Sequence, residues 1–198
     1  MTSCARAGAT GFSTISNRSA RVSIPELGAA ADWVLWRAFV PRWSYLPLSG
    51  DGAARYGGRW NAVGQPCLYA ACEMSTAWAE YNQGLTQHPA LIARLEVFGA
   101  RLFDLTEPEN LATIGLTMAI HETAWRLESD AGRLPPTHRL AARLQAATWD
   151  GVVYPSFMSP GGRCVALWRW NEAHAPRVHV IDPEQRLPRT PDSWPPRG

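Results

Sequence analysis

Short apolar runs and helix-length stretches follow one another along this chain without the strict strand–helix–strand rhythm that a doubly wound sheet requires. That irregular order points to a single α+β domain, a mixed sheet with flanking helices. Residues 33–40 and 66–71 read as strands, and 73–82 as a helix closed by Gly84. Residues 91–98 and 101–105 read as a hairpin about Gly99 and Ala100. A short helical lead-in is expected at 27–32, longer helices at 108–127 and 138–148, and closing strands at 150–154, 164–169 and 178–181. Between the first two strands, 41–64 is a long loop dense in glycine and aromatics, and loops of that length usually carry function. With 198 residues, one domain over about 33–182 has an ample core. It is flanked by an N-terminal arm and lead-in at 1–32, of which 1–24 is rich in Ser, Thr, Ala and Arg, and by a Pro-rich tail at 183–198.

Composition excludes several chemistries. All 19 basic residues are arginine, so a Schiff-base lysine, a P-loop lysine and a Ser–Lys dyad are ruled out. A formal charge of +2 gives no field from which to infer direct nucleic-acid binding. The arm has no continuous apolar stretch, so neither a leader nor a membrane span is expected, and a cytoplasmic protein with reduced thiols follows. Cys4, Cys67, Cys72 and Cys164 have neither metal nor redox spacing. His121-Glu122 begins like a zincin helix, but Trp125 stands where the second ligand belongs, and no metal is expected. No nucleophile elbow surrounds Ser49, Ser75 or Ser156. Trp168 and Trp170, two apart in an expected strand, would share one face.

Residues 57–80, GGRWNAVGQPCLYAACEMSTAWAE, carry the chemistry. Three consecutive backbone elements deliver Arg59, Tyr69 and Glu80 toward what can be one cleft. A guanidinium fork suits a phosphate, an aromatic ring stacks on a flat ligand, and a carboxylate stabilises a developing cation. Ala77, Glu80 and Gly84 fall on one small-residue helix face, while Trp78 lies on another side, better placed for the core. Arg37 sits centrally in an otherwise apolar strand, which favours a place in the site over a surface salt bridge.

WRAF at 36–39, GGRWN at 57–61, PCLYAA at 66–71, the helix ending in Glu80, and YPS at 154–156 together resemble the RES domain family. The resemblance runs over roughly three quarters of the chain. It implies a fold similar to ADP-ribosyltransferase toxins and a toxin that consumes NAD within a bacterial toxin–antitoxin pair. The implied partner is an antitoxin with a Xre-like portion, inserting a segment near Arg37 and Arg59. Carried over residue by residue, Arg37 and Arg59 would hold the NAD pyrophosphate or an incoming phosphate. Tyr69 would stack on nicotinamide or adenine, with Tyr45 and Tyr56 as alternatives. Glu80 would stabilise the oxocarbenium-like centre as nicotinamide leaves, and Ser156 would hydrogen-bond the ligand, with Ser159 competing for that role.

The resemblance leaves the acceptor open. Inorganic phosphate as co-substrate gives an NAD phosphorylase, which two arginines favour; water gives a glycohydrolase; a side chain of a target protein gives a mono-ADP-ribosyltransferase. A catalytically silent nucleotide- or partner-binding module is the alternative of a different class.

Overall fold

The computed structural model describes residues 29–83 and 87–193. Seven strands form one mixed sheet: β1 Ala31–Phe39, β2 Leu68–Ala71, β3 Leu91–Ala100, β4 Leu102–Asp104, β5 Gly151–Pro155, β6 Arg163–Leu167 and β7 Arg177–Val180. Their spatial order is β4-β5-β6-β2-β1-β3-β7. Neighbours are antiparallel except β4 and β5, which run parallel. Five α-helices accompany them: α1 Asp51–Tyr56, α2 Met74–Asn82, α3 Pro108–Thr113, α4 Trp125–Asp130 and α5 Pro136–Ala146.

Period-two alternation sorts the strand residues onto two faces. On one, Leu35, Leu68, Leu95, Val153, Val165 and Leu167 are wholly buried in a single cluster. On the other, Val152 and Ala166 join Phe103, Leu111, Ile114, Leu140, Leu144 and Trp60, so α3 and α5 cover that face. Full burial of each such aliphatic side chain is worth about 1.5–3 kcal/mol. The helix α2 lies across β1 and β2. There Ala77 of the helix meets Ala71 and Cys164 in a third cluster, with Trp36, Ala38 and Tyr154 packed against it.

Several elements differ from the sequence reading. Ala31 and Asp32 extend β1 and are not helical, because Ala31 pairs with Ala100; residues 27 and 28 lie outside the described residues. The 41–64 stretch is not one loop: it holds a short 3-10 turn, Pro41–Trp43, and α1. The expected hairpin about Gly99 is absent. β3 pairs with β1 and β7, whereas β4 pairs with β5 at the opposite edge of the sheet. Residues 108–127 break into α3, a 3-10 turn at Met118–Glu122, and the start of α4, with Gly115 at φ 72° between the first two. The C-terminal cap of α2 is Gln83, in left-handed conformation at φ 49°; Gly84 is outside the described residues. Trp78 is only half-buried and stacks on Tyr81 at 6.5 Å. β6 ends at Leu167, and the chain turns enough that Trp168 and Trp170 join different clusters.

Candidate active site

The segment Gly58–Asn61 folds back on itself, the Gly58 N–H donating to the Asn61 carbonyl at 3.0 Å. Two glycines make this possible. Gly57 has φ 71°, and a side chain on Gly58 would begin 2.5 Å from the Tyr69 hydroxyl. The central pair then points apart: Trp60 is wholly buried, while Arg59 lines a cleft. Asn61, also wholly buried, fixes the turn by donating to the carbonyls of Ala53, Ala62 and Gln65 and accepting the Tyr69 hydroxyl at 2.8 Å. Tyr69 in turn accepts the Trp60 N–H at 2.9 Å. From outside, His138 donates through Nε2 to the Gly58 carbonyl and Trp168 through Nε1 to that of Trp60.

The cleft has a volume of about 670 Å³, within the range of small-molecule sites. Arg37, Arg59, Tyr69 and Glu80 all line it, so four of the five expected site residues share one space. The glutamate is held most firmly. Glu80 Oε1 accepts the Ser156 hydroxyl at 2.5 Å, the Phe157 N–H at 3.1 Å and the Met158 N–H at 3.4 Å, with Cys164 Sγ at 3.8 Å. Everything converges on that one oxygen; no described residue donates to Oε2. Helix α2 supplies the carboxylate, and the turn after β5 supplies the donors.

Ser156, the fifth residue, is not part of the cleft wall. Its hydroxyl is turned to Glu80 and accepts the Ser159 N–H at 3.0 Å, so it orients the carboxylate. The Ser159 hydroxyl instead meets Thr76 at 3.4 Å. Tyr69 has its only proton committed to Asn61. Among the stacking alternatives, Tyr56 lines the cleft and is 71% exposed, whereas Tyr45 lies beside Trp43 away from it.

The electrostatics are those of a cationic cavity. Arg37 donates to the Pro47 and Ser49 carbonyls, both at 2.8 Å, and faces no carboxylate among the described residues. Burial without a counter-charge pushes its guanidinium down to about 10. Arg59 NH1 donates to the carbonyls of His121 at 2.9 Å and Thr123 at 3.3 Å, tethering the segment that leads into α4. Burial pushes the Cys67 and Cys164 thiols up, so neither is a nucleophile. Among the described residues no group of three or more His, Cys, Asp or Glu is placed to hold a metal ion. Nor is any helix of theirs long and apolar enough to cross a membrane.

Sequence reasoning missed part of the wall. Trp125, the residue that spoils a zincin pattern, lines the cleft with Arg126, whose guanidinium lies 5.3 Å from the Trp125 ring. Tyr154 and Phe157 also line it. Tyr154 belongs to the YPS motif, which was the available signal; nothing local announces Trp125.

Three comparisons bear on this geometry. The family model for the RES domain matches residues 34–190. Comparison with curated protein sequences gives no match. Among solved structures, a chain of the M. tuberculosis MbcT–MbcA toxin–antitoxin complex superposes with a TM-score of 0.57 at 18% identity, covering 77% of this chain and 86% of that one. At that identity the likeness is one of fold. The family model, in contrast, spans well over half of the sequence and includes WRAF, GGRWN, LYAA, Glu80 and YPS: the chain belongs to the RES domain family.

Proposed function

We propose that this protein is the toxin of a bacterial toxin–antitoxin pair and that it cleaves NAD at the nicotinamide–ribose bond, with inorganic phosphate as acceptor. The observation that carries the reading is the Glu80 carboxylate, locked through one oxygen in a cleft that also holds a buried, uncompensated arginine. Oε2 accepts a hydroxyl of the nicotinamide ribose. As the C–N bond breaks, its electron pair leaves with the pyridinium nitrogen and positive charge appears on the ribosyl centre, beside a fixed negative group. A phosphate oxygen then forms the new C–O bond, giving ADP-ribose 1″-phosphate and free nicotinamide. Arg37 and Arg59 supply donors for the pyrophosphate and the incoming anion.

An antitoxin partner fits the same place. Tyr56 and Phe157, 71% and 78% exposed, flank the cleft and offer apolar anchors to an inserted segment that reaches Arg37 and Arg59. The MbcT–MbcA likeness supports a toxin–antitoxin setting.

Purified protein incubated with NAD, with and without phosphate, tests the reading by mass analysis. ADP-ribose 1″-phosphate formed only with phosphate is the expected product. ADP-ribose alone would make water the acceptor, an ADP-ribosylated protein would make it a transferase, and intact NAD under every condition would overturn the proposal. Glu80→Gln should lower nicotinamide release by about 10²–10³-fold, the scale of losing one electrostatic contact to a transition state, with folding unchanged by circular dichroism.

A further inference from the structure

Two tyrosines line the cleft floor on neighbouring parts of the sheet, and their hydroxyls are in opposite states. Tyr69 donates to Asn61 and accepts from Trp60, so its proton has no freedom to meet a ligand. The Tyr154 hydroxyl has no hydrogen-bond partner among the described residues, yet the residue opens onto the cleft. Its ring is fixed. It packs against Trp60 at a centroid distance of 5.6 Å, and its backbone is in register opposite Cys164 on β6. Cys164 lies 3.8 Å from Glu80 Oε1, and Ser156, two residues along from Tyr154, donates to that same oxygen. The free phenol is therefore a neighbour of the carboxylate, on a stretch of wall that also includes Cys67, Ala71, Ala77 and Cys164, with the buried Trp60 ring behind it.

From this we infer that Tyr154 is a ligand-binding residue whose hydroxyl donates to the carbonyl oxygen of the nicotinamide carboxamide, an inference that rests on the NAD reading above. The polarity of each partner selects the contact. Glu80 can only accept, which suits ribose hydroxyls. A protonated phenol facing a ligand can donate, which requires an acceptor on the ligand close to the ribosyl centre. Phosphate oxygens are acceptors too, but the arginines serve them, and the Glu80 charge opposes an anion at this position. A flat, neutral amide matches an apolar floor with one donor. Burial, followed by the nearby Cys164, Tyr69 and Glu80, holds the phenol well above its ordinary range, so it remains a donor throughout physiological pH.

The test compares NAD with its analogue lacking the carboxamide, pyridine adenine dinucleotide, binding by calorimetry to the full chain in a Glu80→Gln background that suppresses turnover. Tyr154→Phe should weaken NAD about tenfold, the order of one net hydrogen bond, and leave the analogue within about twofold. Equal losses for both ligands, or no loss for either, would overturn the inference. Cleavage of NAD by the wild-type chain is scored separately. If it cleaves NAD while the Tyr154→Phe affinity is unchanged, only the inference falls; if NAD stays intact and unbound, both readings fall together. Should Tyr154→Phe not fold, the parent's own preference decides: about tenfold for NAD over the analogue supports the contact, and equal affinity removes it.

Discussion

The Ser156 hydroxyl makes its hydrogen bond to Glu80 and not to the cleft, which separates two roles a serine in this motif can have. A group that only steers the carboxylate acts when charge develops and leaves the bound substrate alone. On the NAD reading proposed above, Ser156→Ala is therefore expected to lower kcat about ten- to hundredfold, the range of a charge-assisted hydrogen bond, with KM for NAD within about twofold. Steady-state nicotinamide release measures both. A raised KM at unchanged kcat would move the hydroxyl onto the ligand. Tyr69 and Tyr154 part in the same way: their residue type is identical, and only the partners on each oxygen differ.

Element by element, the strands were legible because each carries its own period-two pattern, and β1, β3, β5 and β7 stand within a few residues of where apolar alternation puts them. Arg37, Arg59, Tyr69 and Glu80 were legible through motifs packed into 44 residues of sequence that the fold keeps together. What could not be read was pairing. Gly99 carries a turn signal, but its N–H goes to Asp32, and the next residues cross to the far edge, where the Arg101 N–H meets the buried Asp150 carboxylate at 2.8 Å. Such partners are tens of residues away, and no local pattern encodes them. The 3-10 turn Met118–Glu122 likewise depends on distant contacts: His121 Nε2 donates to the Leu105 carbonyl, and its Nδ1 is buried without a partner. Burial holds this imidazole below its ordinary 6.5. The unfolded chain therefore takes up the proton first as pH falls below about 6.5. Stability is intact above that value and declines on acidification toward the folded pKa. Denaturant midpoints at pH 7.5 and 5.5 should show a loss in wild type that is smaller in His121→Gln; equal losses would clear His121 of this role.

For the molecule as a whole, the cleft concentrates charge that the overall balance hides. A formal +2 over 198 residues is unremarkable, yet Arg37 is buried beside no carboxylate, and Arg59 and Arg126 line the same space. An anion entering it binds the native state and not the unfolded one. Pyrophosphate at a hundredfold over its Kd should therefore stabilise the fold by about 2.7 kcal/mol, raising Tm by about 5–10 °C for a domain of this size. Chloride at matched ionic strength should give much less. An equal response to both salts would mean general screening and no specific seat.

The only parallel pair among the described strands requires a long crossover, and residues 105–150 make it, carrying α3, α4 and α5 from one strand to the next. Trp125 and Arg126 ride on that excursion, which is joined to the GGRWN turn through Arg59 and the carbonyls of His121 and Thr123 and, from α5, through His138 and the Gly58 carbonyl. α3 and α5 of that excursion are bound into the core, so the part of the flank that stands apart from the frame is the short α4 segment. Changes of length or sequence in α4 would retailor what the pocket admits, while Glu80, its serine brace and the strands beneath keep their places.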